Sequence, residues 1–326
     1  MVEDFGHAPV LVREVVDLFA PVPAGVIVDA TVGGAGHAAA LLDARSDISL
    51  LGVDRDPIAV EAARARLARF GVRAHVARGV FGELEEVVRE ALRRFPDDKG
   101  DDIVGILFDL GVSSPQLDRP ERGFSYRFDA PLDMRMDSGQ DLTAAEVVNT
   151  YDEKRLSQLI RSYGEERFAR SIARRIVEAR PLSTTRELVD VIRSAVPARF
   201  RRKGNPARLT FQALRMEVNR ELPNLASGLD DSVRLVAPGG RVVAIAYHSL
   251  EDRMVKERFL DITEVDQLPV VLPGEGPEPE FDRVTRRAVK AQADEIDSNP
   301  RSRSARLRAV ERRRKMVRGS TVQRAG

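Results

Sequence analysis

The first third of the chain alternates between two hydrophobic periods. Short apolar runs rich in Val, Ile and Leu are typical of buried strands, and they lie at 26–28, 48–53, 72–76 and 103–108. Between them, apolar residues recur at helical spacing over 37–44, 57–70 and 83–95. Asp56-Pro57 has the form of an N-cap followed by Pro at the first helical position. Strand–helix alternation with short turns predicts βαβ units and a parallel sheet.

The pattern changes after residue 110. Residues 112–142 are rich in Pro, Asp, Ser and Arg, which predicts a long ordered loop. Helical periodicity then dominates, most clearly over 165–180, 185–195 and 209–222, the last predicted to stop near Pro223. A strand signal returns at 241–246, after Pro238-Gly239-Gly240. We therefore predict an α/β fold in two parts, 1–140 and 227–310, with an inserted helical domain at 141–226 and a basic tail at 311–326.

Composition narrows the class of protein. The chain has no Cys among its 326 residues, which excludes disulfides and thiolate metal sites, and it has only four His. No apolar run approaches the roughly 18 residues that a transmembrane helix needs. Residues 1–19 mix charged side chains into their apolar positions, unlike a signal peptide. We expect a cytoplasmic protein that binds no metal and does not enter a membrane.

Charge alternates in blocks, although the net charge is only +1. Residues 1–150 hold 16 basic and 26 acidic side chains, and residues 221–300 hold 9 and 16. Residues 151–220 hold 17 basic and 8 acidic side chains, and residues 301–326 hold 10 and 1. A polyanion would meet the two basic blocks if the fold brings them together. The alternative is that they are solvated faces of ordinary helices.

A glycine-rich turn follows the first predicted strand, which ends at Asp29. Small residues in such a turn let backbone N–H groups approach a ligand closely, beside a helix N-terminus. The order G-G-x-G at residues 33–36 differs from the G-x-G-x-x-G fingerprint of dinucleotide-binding proteins. An acidic residue before the glycines instead resembles the first motif of adenosylmethionine methyltransferases.

The next three strand ends also carry suggestive residues. In an open parallel sheet, ligands bind at the carboxyl ends of the strands. Asp54 ends the second strand, where a carboxylate can accept from both ribose hydroxyls. Phe81 follows the third strand and can cover an adenine face, and Asp109 ends the fourth. Together the four ends favour an adenosyl ligand, with helix capping by Asp29 and Asp54 as the alternative.

Nine longer motifs follow one another along the chain. They read HAPVL (7–11), VDAT (28–31), GAGH (34–37), DLGVSSPQLD (109–118), RGFSY (122–126), PLDMRMD (131–137), TFQALR (210–215), HSLEDR (248–253) and NPRSRSARLR (299–308). In this order they resemble one family, the bacterial small-subunit (16S) ribosomal RNA cytosine-N4-methyltransferases. A single motif would be a weak match, but nine in order over nearly the whole chain are specific.

The resemblance implies a Rossmann-like S-adenosylmethionine methyltransferase domain with an inserted all-helical substrate domain. It also implies that S-adenosylmethionine is the cofactor and is contacted by Gly34, Ala35, Gly36, His37, Asp54, Phe81, Asp109 and Gln116. Ala35 would contribute backbone at most. Two small departures leave the assignment intact: the glycine pair at 33–34 is not directly before the His, and Ala246-Tyr247 stands where Ser-Phe is common.

The loop after the fourth strand is the candidate catalytic segment. The exocyclic amine of cytosine is a poor nucleophile, so it must be held near the methyl donor with its N–H groups bound to acceptors. We predict that Asp109, or an oxygen of Ser113 or Ser114, accepts from this amine together with a main-chain carbonyl of the Pro115 turn. Positioning and electrostatics then supply the rate, without a covalent intermediate.

The target base must leave its stack to reach a buried methyl donor. Aromatic rings that can stack on it are expected at Phe124, Tyr126 and Phe128, and Tyr247 and His248 lie at the end of the resumed strand, near the expected site. Anchoring of the loop in the core is the alternative for Phe124 and Phe128, as core packing or capping is for His248. Asp133 and Arg135 fit either base and phosphate contacts or a salt-bridged brace, and the sequence leaves this open.

Phosphate contacts are expected from the two basic blocks. The candidates are the segment 199–204 in the inserted domain, with Arg201, Arg202 and Lys203, and the stretch 301–318, with Arg301 and Arg303. Arg306 and Arg308 flank Leu307 in a possible strand, so bracing of the domain is the alternative for some of these arginines.

The sequence therefore predicts an enzyme that methylates the N4 amine of a cytidine in small-subunit ribosomal RNA, in the decoding-centre region. Its partner would be ribosomal RNA within the small ribosomal subunit. The alternatives are a methyltransferase for another RNA base or for a protein, and a non-catalytic RNA-binding protein on the same fold. The basic blocks argue against a protein or small-molecule substrate, and the intact strand ends argue against loss of catalysis.

Overall fold

A computed structural model describes residues 9–93, 102–111, 116, 119–201, 205–264 and 278–314. Within these ranges the strands form one sheet in the order β3-β2-β1-β4-β5-β7-β6. The first five pair in parallel, and β7 pairs antiparallel with β5 and β6. The strands are β1 (Gly25–Asp29), β2 (Ile48–Asp54), β3 (Ala74–Arg78), β4 (Ile103–Asp109), β5 (Val236–Ala246), β6 (Phe281–Arg283) and β7 (Arg306–Arg312). The prediction of an α/β fold is confirmed.

Helices cover both faces of this sheet and form a separate unit between β4 and β5. The described α-helices are α1 (Val12–Phe19), α2 (Gly36–Ala44), α3 (Pro57–Leu67), α4 (Leu84–Leu92), α5 (Ala144–Thr150), α6 (Glu153–Gly164), α7 (Ala169–Glu178), α8 (Thr185–Ala195), α9 (Ala198–Arg201), α10 (Ala207–Asn219), α11 (Glu221–Leu235), α12 (Ser249–Thr263) and α13 (Ala293–Ser298).

Each sheet face has its own apolar core. On one face Ile27 and Leu50 pack with α1, α2 and α3. On the other face Val28 and Phe108 pack with α4, α11 and α12. Because both faces are covered, the strands read as nearly continuous apolar runs rather than as alternating patterns.

The helices between β4 and β5 bury a third core of their own. Ile160, Ile172, Ile192 and Leu214 come from four different helices of this unit. The predicted end of the insert at residue 226 lies within α11, whose Leu225 packs against the sheet rather than against the helical core. The domain division stays a prediction at this boundary.

Three local predictions were wrong, each for a structural reason. The third strand runs over Ala74–Arg78 rather than 72–76, because residues 68–73 form a 3₁₀ segment that leaves Val72 72% exposed. The helix predicted at 209–222 ends at Asn219, since Arg220 is left-handed with φ 52°. Pro223 lies in the first turn of α11, where a missing N–H costs nothing.

The last wrong boundary is at β5, which begins at Val236 and includes the Pro238–Gly240 segment. A register irregularity in its pairing with β4 accommodates these residues. Gly240 lies so close to β4 that an added Cβ would be 2.8 Å from the carbonyl oxygen of Val104. The glycine is therefore required by this close approach, rather than by a turn before the strand.

Candidate active site

The carboxyl ends of β1, β2 and β4 meet at one edge of the sheet, as the strand order requires. The turn after β1 is tight, with Gly33 at φ 48° and the buried Ala35 at φ 58°. Gly36 opens α2, and an added Cβ there would be 3.1 Å from Pro9. The first N–H groups of a helix lack helical partners, so the start of α2 can bind a carboxylate.

Asp54 closes this turn from the neighbouring strand. Its Oδ2 accepts from the backbone N–H of Gly33 at 2.9 Å, and its Oδ1 accepts from that of Asp56 at 2.9 Å. Burial raises the pKa of Asp54 to about 6, against the lowering effect of these hydrogen bonds. Each carboxylate oxygen retains a lone pair, so the group can still accept from a pair of ribose hydroxyls.

Phe81 lies next along this edge. It begins a 3₁₀ turn after β3, and its ring is 6.0 Å from that of Phe108, in edge-to-face geometry. The turn is positioned from outside by Gly228 of α11, where a Cβ would be 2.6 Å from the Phe81 carbonyl oxygen. The Phe81 side chain is only half-buried, which leaves ring surface that can cover an adenine.

Asp109 lies at the end of β4 between two aromatic partners. The hydroxyl of Tyr247 donates to its Oδ1 at 2.7 Å, and Nε2 of His37 lies 3.4 Å from its Oδ2. Thr31 Oγ1 accepts from the Asp109 backbone N–H at 2.6 Å. Both oxygens of this carboxylate are thus oriented, while a quarter of its side chain is exposed. The arrangement presents a fixed, partly open acceptor.

Three ionisable residues around the Asp109 carboxylate have raised pKa values. Burial raises the pKa of Asp29 to about 7, although His37 opposes the shift. Burial also disfavours charged His37, but its contact with Asp109 and the charge of Asp29 raise its pKa overall. Burial and the Asp109 carboxylate hold the pKa of Tyr247 well above its ordinary value, so Tyr247 stays a hydroxyl donor.

Asp56 caps the N-terminus of α3, as predicted, and also binds two side chains from the segment after β4. Its Oδ1 accepts from the N–H of Ile58, and its Oδ2 accepts from Gln116 Nε2 at 3.2 Å and from Arg122 at 3.0 Å. The buried Gln116 is thereby tied to the segment that directly follows Asp54. Ser113, Ser114 and Pro115, the other predicted catalytic residues, lie outside the described residues, so their roles stay predictions.

The loop beyond Gln116 is anchored by its aromatic residues. Phe124 is buried, as in the core-anchor alternative. The Tyr126 ring packs edge-to-face on Phe211 of the helical unit, with the centroids 5.8 Å apart. Phe128, in contrast, is 48% exposed. The stacking roles predicted for Phe124 and Tyr126 stay predictions, and their contacts are those of a loop anchor.

Asp133 and Arg135 brace the same loop. Two parallel hydrogen bonds of 2.8 Å join their side chains, and Arg135 Nη1 also donates to the carbonyls of Ser138 and Gln140. Although burial opposes it, the bonds from Arg135 lower the pKa of Asp133. These contacts match the brace that the sequence left open, and they use most donors of Arg135.

His248 caps the helix that follows β5. Its Nδ1 accepts from the Glu251 N–H at 3.3 Å, and its Nε2 lies 3.0 Å from Glu251 Oε1. Glu251 Oε2 accepts from the N–H of Tyr247 at 2.9 Å. Although burial opposes it, His248 lowers the pKa of Glu251. His248 and Glu251 together therefore form the cap of α12, and Glu251 also binds the Tyr247 backbone.

Among the described residues, one group of side chains could hold a metal ion by spacing: Glu221, His248 and Glu251. Glu221 forms two hydrogen bonds with Arg215, of 2.8 and 2.9 Å, and the other two form the cap of α12. These pairings account for the cluster without a metal. The expectation that no metal is needed stays a prediction.

The predicted phosphate-binding residues lie in two places. Arg201 is exposed at the end of α9, and its Nε donates to the Val196 carbonyl at 2.7 Å. Arg202 and Lys203 lie outside the described residues. Arg301 is half-buried and Arg303 exposed in the 3₁₀ helix Pro300–Ser304, before β7. Arg308 pairs with Asp252 at 2.8 Å and braces the sheet, as one alternative proposed.

Sequence reasoning missed two residues that join the helical unit to the sheet edge. Asn219 Nδ2 donates to the Met134 carbonyl, and its Oδ1 accepts from the Met136 N–H, each at 2.8 Å. Arg55, directly after Asp54, donates to the Asn219 carbonyl at 2.8 Å and to Gln140 Oε1 at 2.7 Å. Only the sequence position of Arg55 beside Asp54 could have signalled this junction.

None of the helices in the ranges that the structure describes is both long and apolar enough to cross a membrane.

Comparison with known proteins places the chain in a family. A profile described as the MraW methylase family matches residues 4–313. A protein named ribosomal RNA small subunit methyltransferase H, from Mycolicibacterium gilvum, is 49% identical over 322 residues, which cover 96% of this chain and 84% of that protein. A protein of the same name from Thermobifida fusca is 48% identical over 318 residues, 94% of each chain.

Proposed function

This chain belongs to the MraW methylase family, and we propose that it transfers a methyl group from S-adenosylmethionine to the N4 amine of a cytidine in small-subunit (16S) ribosomal RNA, in the decoding-centre region. The names of its relatives support the RNA substrate. The observation that carries the reaction is Asp109, whose two carboxylate oxygens are oriented by Tyr247 and His37 beside the glycine-rich turn.

The residues at the sheet edge fit S-adenosylmethionine. The N–H groups at the start of α2 suit its carboxylate, Asp54 suits its ribose and Phe81 suits its adenine. When bound, the cofactor supplies an electrophilic methyl group. Ala35 takes part only through its backbone, because its side chain is fully buried. Gly34 belongs to the same edge through the turn, and Gln116 through its bond to Asp56.

Asp109 would accept a hydrogen bond from the target amine. That bond draws the nitrogen lone pair out of the cytosine ring and fixes the approach of the amine to the methyl donor. Because Tyr247 and His37 hold the carboxylate in place, little reorganisation is needed during the reaction. The methylated amine is acidic enough to release its extra proton without a strong base, so no further general base is required.

The substrate is proposed to be RNA within the small ribosomal subunit, and the enzyme to be cytoplasmic, where that subunit assembles. The test incubates the protein with labelled S-adenosylmethionine and either naked small-subunit ribosomal RNA or intact small subunits that lack the modification. Label that disappears on ribonuclease treatment but survives protease supports an RNA substrate. Label that survives ribonuclease and is lost with protease would replace the proposal with a protein methyltransferase.

A further inference from the structure

Two arginines and two phenylalanines form an exposed cluster on the helical unit, here called the Arg167–Arg199 cluster. The rings of Phe168 and Phe200 have centroids 5.2 Å apart. The guanidinium carbon of Arg167 lies 4.9 Å from one centroid and 4.4 Å from the other, and that of Arg199 lies 5.0 Å from the Phe200 centroid. The rings thus hold two guanidinium groups at the surface by cation–π contacts.

Neither guanidinium is neutralised within the described part of the chain. Arg167 and Arg199 are exposed, and no described carboxylate lies within ion-pair distance of either. The two acids nearest to Arg167 in sequence have other partners: Glu165 contacts Arg253 at 3.2 Å, and the buried Glu166 accepts from the Phe168 N–H at 2.8 Å.

Two exposed arginines of α7 behave differently. Arg174 and Arg175 on α7 both contact Glu178, at 3.7 and 3.0 Å. An ordinary solvated helix face shows such pairs. The unpaired guanidinium groups of the cluster therefore mark a surface that is suited to an external anion.

A hydrogen bond links the segment that carries Arg167 to the candidate active site. Glu165 accepts a hydrogen bond from the hydroxyl of Ser249, the first residue of α12. Ser249 follows Tyr247 by two residues, and Tyr247 binds Asp109. Arg167 follows Glu165 by two residues, a separation of at most about 7 Å along an extended chain. One anchored segment thus connects the cluster to the edge where the target amine would bind.

We propose that the Arg167–Arg199 cluster binds the RNA strand next to the target nucleotide. The exposed guanidinium planes stack on bases flanking the target, and their N–H edges bind phosphates. The rings beneath them hold the planes in the binding orientation, which lowers the conformational entropy lost on binding. This inference rests on the proposed function, because it takes RNA as the substrate.

The test measures binding of an in vitro transcript of small-subunit ribosomal RNA to the full chain at several salt concentrations. The double variant Arg167→Ala/Arg199→Ala should raise Kd about tenfold or more and should lower the salt slope by about 0.7 for each phosphate that is no longer bound. The matched control, Arg174→Ala/Arg175→Ala, removes the same charge from the same unit and should change Kd by less than about twofold. Equal effects in the two variants would overturn the proposal.

A second pair of variants separates stacking from charge. Arg167→Lys/Arg199→Lys keeps both charges but removes the planar groups, so the salt slope should stay while most of the decrease in affinity remains. Full recovery of affinity with Lys would overturn the stacking part. S-adenosylmethionine affinity should match the parent in every variant and thermal unfolding should stay cooperative, which excludes misfolding as the cause.

Failure of the cluster proposal can be distinguished from failure of the proposed methyltransferase function. If the protein methylates no RNA, yet the Arg167→Ala/Arg199→Ala variant alone loses RNA affinity, the cluster is an RNA-binding surface and the proposed reaction is wrong. If the protein methylates ribosomal RNA with the same KM for RNA in this variant and in the control, the reaction stands and the cluster proposal falls.

Discussion

Replacing Asp54 with Asn tests the proposed ribose site with nearly the same side-chain volume. The two carboxylate oxygens each accept one backbone N–H at 2.9 Å, from Gly33 and from Asp56. Asn has only one acceptor oxygen, so its amide nitrogen must face one of these N–H groups. The substitution therefore removes one turn hydrogen bond and one of the acceptors proposed for the ribose.

The effects on stability and on binding should differ. A part-buried N–H left without an acceptor costs about 1–3 kcal/mol. Removal of the carboxylate also removes the burial penalty that raises its pKa from 3.8 to about 6, which is at most about 3 kcal/mol at pH 8. These contributions oppose each other, so the free energy of unfolding without ligand should change little.

For S-adenosylmethionine binding, no second contribution is expected to offset the lost hydrogen bond. Removing a hydrogen bond between a ribose hydroxyl and a charged acceptor costs about 1.5–3 kcal/mol, which is about a 10- to 150-fold rise in Kd for S-adenosylmethionine. Isothermal titration calorimetry at pH 8 measures this Kd. The exposed Asp43→Asn on α2 is the matched control and should leave Kd unchanged.

The pH dependence provides a second check. Because the folded pKa of Asp54 is about 6, the parent should lose S-adenosylmethionine affinity as the pH falls below 6, as the carboxylate becomes protonated. Asp54→Asn should lack this component. An unchanged Kd in Asp54→Asn at pH 8, with an intact unfolding transition, would refute the ribose assignment.

Three further predictions follow from the same contacts. Tyr247→Phe keeps the ring beside Gly111 but removes the hydrogen-bond donor to Asp109. Single-turnover methyl transfer should therefore slow about tenfold, while calorimetry shows an unchanged Kd for S-adenosylmethionine. An unchanged rate would contradict the orienting role of Tyr247. The folded pKa of Asp29, about 7, exceeds its unfolded value of 3.8, so burial of Asp29 destabilises the fold increasingly as the pH rises from about 4 to 7, and by a constant amount above pH 7. In thermal unfolding, Asp29→Asn should therefore be more stable than the parent by a few degrees at pH 8 and equal to it near pH 4. The opposite trend would exclude this assignment. Asn219→Leu leaves the Met134 carbonyl and the Met136 N–H without their partner. Urea unfolding should therefore show a decrease of about 3 kcal/mol in the free energy of unfolding. A decrease under about 1 kcal/mol would mean that these hydrogen bonds between the helical unit and the loop contribute little to stability.

Local patterns predicted the parts of the fold that depend on local sequence. The parallel strands are buried on both faces, so their continuous apolar runs identified them, and the carboxylates at their ends followed directly. A strand around Leu307, now β7, was indicated only as possible, and its antiparallel partner β6 was not predicted. β6 has only three residues, and its pairing with β7 joins positions about 30 residues apart. Such pairing leaves little local signal.

In the candidate site, too, the residues placed by strand order could be predicted from the sequence, and those placed by tertiary contacts could not. Asp54 and Asp109 lie where the strand rule places them, because the rule needs only the order of strands. The role of Asn219 depends on the Met134 carbonyl and the Met136 N–H, partners that are distant in the sequence. By position His248 fits a core, a capping or a substrate role, and only the contact with Glu251 shows that it caps α12.

The identity of the methylated nucleoside tests the proposed reaction most directly. Small subunits that lack the modification are incubated with the protein and labelled S-adenosylmethionine, and their RNA is digested to nucleosides and analysed by mass spectrometry. We expect label in N4-methylcytidine alone, and its loss with the folded Asp109→Ala variant. Label in another nucleoside would exclude cytosine-N4 methylation, and full activity of Asp109→Ala would exclude Asp109 as the acceptor of the target amine.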